Sequence, residues 1–119
     1  MTPTTSERRR SPTAAFFDDL AGRGREPLLK NTSGTIRFDL LVGKRVEHWS
    51  VTIDEGDVEV SHSRARADAV VRLKRSTLDG MVSGRVNAMA AVLRGELVPE
   101  GNLSLVILFQ RVFPGPVRA

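Results

Sequence analysis

The stretch Gly34-Thr35-Ile36-Arg37-Phe38-Asp39-Leu40 decides the fold. Ile36, Phe38 and Leu40 alternate with Arg37 and Asp39, a period of two that describes a half-buried strand. After a Gly43-Lys44 corner the same period returns, with Trp49, Val51 and Ile53 set against His48, Ser50 and Thr52. Glu55-Gly56 is a hairpin turn signal, Val58 and Val60 form a third strand, and Ala67, Ala69, Val71 and Leu73 form a fourth with Asp68 and Arg72 facing away. Four strands with one apolar face each predict an antiparallel sheet that is wet on one side and needs a cover on the other.

The cover follows in sequence. Ser76 with Asp79 resembles a capping box ahead of Leu78, Met81 and Val82, and that segment stops at Gly84. Asn87 can cap a second short helix carrying Met89, Val92 and Leu93, ended by Gly95. Glu96 to Pro99 reads as a short fifth strand, placed at an edge by Pro99. Asn102 opens a last helix, Leu103 to Phe113, stopped by Pro114-Gly115-Pro116. Upstream, Ser11-Pro12 starts a helix whose Phe16, Phe17 and Leu20 share a face, with Gly22 and Gly24 at its end. The segment Arg25 to Ser33, with Pro27 and Leu28-Leu29, is a connector partly packed on the core. The fold class is α+β, a five-stranded and mostly antiparallel sheet covered on one face by helices.

Composition bounds the function. At 119 residues, 40% hydrophobic, the chain supports one core and should bury about two-thirds of its unfolded surface. The absence of Cys excludes disulfide scaffolds, thiolate metal sites and cysteine nucleophiles. No apolar run nears the ~18 residues of a membrane span, and Met1 to Pro12 is too polar for a secretory signal, so a cytoplasmic domain is the default. Residues 1–10 read as a disordered basic tail and 11–119 as a single domain. The net charge of +4 raises nucleic-acid binding. Its one cluster, Arg8 to Arg10, sits in the tail, where a solvated run is the commoner meaning, so nucleic acid ranks last among partners. An excess of Arg over Lys points weakly to a GC-rich bacterial source.

Enzymatic motifs are missing. There is no Gly-x-Ser-x-Gly elbow and no Tyr, and Gly43-Lys44 lacks both the upstream Gly and the following Ser or Thr of a phosphate loop. If Ile53 pairs with Val58, Trp49 stands opposite His62 while His48 faces the other side of the sheet, so the two imidazoles cannot share a metal. Asp54 and Glu55 belong to a turn. No catalytic residue, metal or cofactor is assigned.

The anomaly is apolar. Leu103, Val106 and Ile107 form one stripe of the last helix, and Leu105, Leu108, Phe109 and Val112 form another. A helix apolar nearly all round should be covered on every side, and few elements remain to do it. Pattern alone favours a central core helix or a homodimer contact. The functional alternative gives one stripe to the sheet and the other to a cavity. That cavity would be lined by Leu105, Phe109 and Val112, walled by Trp49 and Val51 on the sheet and by Met81, Met89, Val92 and Leu93 on the short helices, with Gln110 as its polar group. Gly80 within a short helix implies close packing or a flexible wall.

Several stretches resemble the sterol carrier protein type 2 domain family. They are Gly34 to Leu40, His48 to Ile53 with Gly56-Asp57-Val58, Ala67-Asp68-Ala69, Ser83 to Met89, Arg94-Gly95-Glu96-Leu97 with Gly101, and Phe109 to Pro114. The similarity spans Phe16 to Pro116, each motif weak alone but all in order. The resemblance implies a five-stranded sheet under helices, an enclosed apolar tunnel for sterols, fatty acids or fatty acyl chains, and no catalytic residues. Two departures stand out: the first helix is short, which implies an incomplete lid on that side, and Asn102 replaces the family's frequent Asp. The function so implied is non-catalytic binding and transfer of a lipid, with transient membrane contact. The alternative is an accessory or dimerising module that presents a hydrophobic substrate to an enzyme.

Overall fold

Two tight turns set the register of the sheet in the computed structural model, which describes residues 11–114. The tail with Arg8 to Arg10, and Gly115-Pro116 beyond the last helix, lie outside the described residues. Strands β1 (Ser33–Val42) and β2 (Arg45–Asp54) are antiparallel with Val42 opposite Arg45, leaving Gly43 and Lys44 as the whole loop. Glu55 at φ +50° and Gly56 at φ +93° join β2 to β3 (Asp57–Ser61). Positive φ at both central residues gives the twist that a two-residue hairpin needs, and Ile53 stands opposite Val58.

The chain does not continue as a meander. Strand β4 (Ala69–Lys74) lies on the other side of β1 and runs parallel to it, with Ile36 opposite Ala69. Strand β5 (Leu97–Gly101) closes that edge antiparallel to β4, with Val71 opposite Pro99, so the order is β3-β2-β1-β4-β5. This corrects the all-antiparallel expectation for the first four strands. Alternation reports which face is buried and not which way a strand runs.

The β3–β4 link, residues 62–68, crosses the outer face of the sheet. Ser50 Oγ donates to the Ser63 carbonyl at 2.7 Å, and the Arg37 guanidinium donates to the carbonyls of Arg64 and Ala65 at 3.2 and 3.1 Å. The strap covers only part of the outer face, burying Asp39 and Ser50 beneath it, while Leu41, Val46, Thr52 and Arg72 on the same face stay exposed as expected. Asp39 accepts from Arg37 Nε at 2.9 Å, from a second Arg37 nitrogen at 3.2 Å and from His48 Nδ1 at 2.7 Å. Burial pushes the Asp39 carboxyl up, but the hydrogen bonds and charges of Arg37 and His48 outweigh it and hold the group below the ordinary carboxylate range.

Helices cover the inner face. In α1 (Pro12–Arg23) the Ser11 hydroxyl accepts from Ala14 N at 3.2 Å, and Phe17 and Leu20 are buried. A 3-10 turn (Pro27–Leu29) seats Leu29 in the core and leaves Leu28 exposed. Helix α2 (Arg75–Val82) starts directly from β4 without a side-chain cap, so the Ser76–Asp79 capping box is not formed. Asp79 instead accepts from Thr13 N at 3.0 Å, satisfying a free donor in the first turn of α1 and bolting the two helices together. Asn87 caps α3 (Ala88–Leu93) through Ala90 N, and Asn102 caps α4 (Leu103–Phe109) through Leu105 N. The last helix is shorter than its pattern, because Gln110–Val112 tightens into a 3-10 turn.

Gly101 sits at φ +88°, and a Cβ there would lie 2.5 Å from the Asp68 carbonyl oxygen. Gly101→Ala is expected to lose about 2 kcal/mol or more in chemical denaturation, and an unchanged midpoint would mean that this junction yields freely. A carboxyl held low in the folded state stabilises it above its unfolded pKa of about 3.9, and that contribution fades as pH falls through the lower folded value. Asp39→Asn is therefore expected to be less stable than the parent at neutral pH, with the gap closing below about pH 4. A gap that persists unchanged into acid would remove the ionised Asp39 from the account.

Candidate ligand-binding groove

The two stripes of α4 part company in the fold. Leu105 and Phe109 point into the core, at 3% and 1% exposure, while Leu103 and Ile107 remain 52% and 55% exposed. Leu105 packs where a Cβ on Gly34 would come within 3.0 Å of its Cδ2. Leu103, Val106, Ile107 and Gln110, spaced i, i+3, i+4 and i+7, line one wall of a groove of ≈ 200 Å³. Its floor is Ile36 and Phe38 of β1 with Val71 and Leu73 of β4, and the opposite wall is Met81 of α2 with Met89 and Val92 of α3.

The sequence assignment of the site is thus half redrawn. Met81, Met89, Val92, Phe109 and Gln110 come together in the groove lining. Trp49, Val51, Leu93, Leu105 and Val112 do not. Trp49 and Val51 belong to the half of the sheet that α1 covers, and the indole stacks on Phe17 at 4.7 Å. Leu105 is core, Val112 packs on the core from the 3-10 turn, and Leu93 is 81% exposed beyond the groove. Sequence reasoning missed Val106, Ile107, Ile36, Phe38 and the β4 residues. The Leu103-Val106-Ile107 stripe, which the pattern assigns to the sheet, lines the groove instead.

An aromatic circuit separates the two halves of the helical layer. Phe17 meets Phe38 at 5.3 Å, Phe38 meets Phe109 at 5.5 Å and Phe109 meets Phe113 at 5.6 Å. Phe113 returns to Phe16 at 5.1 Å, and Phe16 closes the ring on Phe17 at 5.3 Å. Three members, Phe38, Phe109 and Phe113, also form the end of the groove.

The space is an open groove and not an enclosed tunnel. Met89, Leu103 and Ile107 at its rim are each more than half exposed, so the opening lies between α3 and α4. On the α1 side Phe17 and Leu20 are fully buried, but Ser11 at the cap and Thr13, Ala14 and Asp18 of that helix border a further cleft. Gly80 is a packing glycine, since a Cβ there would fall 2.4 Å from Val86 Cγ2, and the α2–α3 loop folds back to place the amides of Arg85 and Val86 on its carbonyl.

Among the described residues that line the groove none is titratable, and Gln110 supplies the one side-chain polar group. The arrangement can exclude water from an apolar chain and orient one polar atom. A separate polar cleft of ≈ 800 Å³ lies beyond the circuit, with Thr13, Trp49, His62, Arg45 and an Arg75–Glu47 pair at 3.2 Å. His48 is engaged with Asp39, and the His62 ring lies 4.2 Å from Trp49. Among the described residues no three His, Cys, Asp or Glu side chains are grouped to hold a metal ion, and no helix is long and apolar enough to cross a membrane.

The sequence profile of the SCP-2 sterol transfer family matches residues 11–114. The chain belongs to that family. The SCP-2 fold recurs in solved structures at low identity. The sterol carrier protein domain 2 of Helicoverpa armigera is 18% identical, over 92% of this chain and 94% of that one, at a TM-score of 0.73. Palmitated SCP2L2 from Aedes aegypti is 12% identical, over 92% of this chain and 97% of that one, at 0.67. The sec-alkylsulfatase Pisa1 from Pseudomonas sp. is 19% identical over 87% of this chain but only 16% of its own, at 0.67. No curated protein matches the chain.

The two stripes of this SCP-2 domain's last helix differ in their cost of truncation. Leu105→Ala is expected to lose about 2–5 kcal/mol in denaturant melts, and Ile107→Ala no more than about 1 kcal/mol. Equal losses would mean that both stripes are core and that the groove closes in solution.

Proposed function

We propose that the chain binds the apolar part of a lipid, a fatty acid, fatty acyl or sterol-like molecule, in the groove between α3 and α4 and exchanges it through the open rim. The observation that supports this reading is an apolar groove whose rim residues Met89, Leu103 and Ile107 stand exposed in a domain with an otherwise filled core. Each methylene taken from water contributes about 0.8 kcal/mol, so a lipid tail is held by burial alone. Met81, Met89, Val92, Phe109 and Gln110, joined by Val106 and Ile107, are the proposed contacts.

The groove volume of ≈ 200 Å³ is below the ~300–1,000 Å³ usual for a bound small molecule. A long chain therefore widens it, and α3 is the wall that moves. It has six residues and buries only Ala91, with Gly84 before it and Gly95 after it as hinges. Leu93, standing clear of the fold beside this wall, is the first contact with a membrane during exchange. A second reading, an accessory module serving an enzyme, has its support in the sulfatase, where the same fold is a small part of a longer chain.

A neutral fluorescent probe, N-phenyl-1-naphthylamine, tests the groove. Val106→Asn with Ile107→Gln removes apolar contact equal to about two methylenes, so affinity is expected to fall about tenfold while the melting temperature shifts by only a few degrees. Unchanged affinity would sink the groove as the binding site.

A further inference from the structure

Next to the Gln110 end of the apolar groove lies a second opening of ≈ 740 Å³, and Met81, Ala88, Gln110 and Phe113 line both. The new side chains there are different in kind. Arg85 comes from the α2–α3 loop and Arg111 from the 3-10 turn after α4; Asn87 also lines the opening, and among the described residues no acidic side chain does. Among the described residues neither Arg85 nor Arg111 makes an ion pair, a state they share with Arg45, Arg64 and Arg66, whereas Arg23, Arg25, Arg37, Arg72, Arg75 and Arg94 are paired. Gln110, half-buried at the junction, makes no side-chain hydrogen bond within the described fold. The polar cleft around Trp49 offers no such bias, because Arg45 and Arg75 share it with Asp18 and Glu47.

We infer that Arg85 and Arg111 receive the anionic head of an amphiphile whose tail occupies the apolar groove, so that this protein selects ionised lipids over neutral ones of the same chain length. The inference rests on the lipid reading above and adds the class of ligand. Guanidinium groups bind carboxylate, sulfate and phosphate oxygens through paired N–H donors, and such charge-assisted bonds are about twice as strong as neutral ones. Their position at the groove's mouth keeps the charge in water while the tail is buried, so no isolated charge enters the core. Gln110 then donates to the head from the groove side.

The test is displacement of N-phenyl-1-naphthylamine by palmitate and by hexadecanol, which share a tail and differ in the head. In the parent protein palmitate is expected to compete at least about tenfold better. In Arg85→Gln/Arg111→Gln, folded by circular dichroism, that ratio is expected to fall towards one. Arg45→Gln, in the other cleft, should keep the parent ratio. Equal competition by the two lipids in the parent, or a ratio unmoved by the double substitution, overturns the inference and leaves the groove intact. A double substitution that weakens only sedimentation with phosphatidylglycerol vesicles, and not palmitate competition, also overturns it by assigning the arginines to a membrane surface. Failure of the probe to bind the parent at all would instead defeat the lipid reading on which the inference stands.

Discussion

All five phenylalanines of the chain meet in one closed circuit, and that circuit organises the helical layer. Aromatic pairs of this kind are each worth about 0.5–1.5 kcal/mol beyond the area they bury, but their geometric effect is larger. The circuit joins the first helix to the last through Phe38 on the central strand, so α1 and α4 cannot slide independently over the sheet. It also partitions the inner face. On one side Phe17 closes over Trp49, and on the other the rings of Phe38 and Phe109 end the groove.

Once Phe109 is committed to the circuit, the rest of α4 has no rotational freedom. A helix turns about 100° per residue, so Leu105 must follow Phe109 inward while Leu103 and Ile107 swing to the rim. The apolar surface left in water is therefore a result of packing elsewhere. Floor and wall differ in stiffness as well. The floor is strand backbone paired on both sides, and the wall is a one-and-a-half-turn helix, far below the ~12–15 residues at which a helix holds itself together.

Much of the sheet was legible in the sequence for local reasons. Glu55-Gly56 fixes Ile53 opposite Val58, since a slip of one would turn Ile53 to the wrong face. Asn87, Asn102 and Ser11 cap helices within three residues of themselves, and Pro99 marks an edge strand. The failures are all long-range. Asp79 carries the spacing of a local cap and serves Thr13, 66 positions away. The parallel β1–β4 pair depends on how residues 62–68 travel, which no periodicity records. Both stripes of α4 are apolar, so the pattern is symmetric, and only contact with Gly34 and the aromatic circuit breaks the symmetry. Trp49 and Val51 do share the groove's face of the sheet. Nothing in the α1 sequence announces that it lies over their half, where Phe17 stacks on Trp49.

The crossing of residues 62–68 over the outer face has a consequence for the order of assembly. Strands β1, β2 and β3 are linked by two-residue loops and can zip in microseconds, before any distant part of the chain arrives. Strand β4 reaches β1 only through the longer closure of residues 62–68, which is pinned to Ser50 and Arg37, and β5 pairs with β4 alone. The half of the sheet beneath the groove is thus the half with the costlier, non-local closure. A nascent or partly unfolded chain would expose the edge of β1 first, the one central strand whose second neighbour comes from beyond a non-local closure.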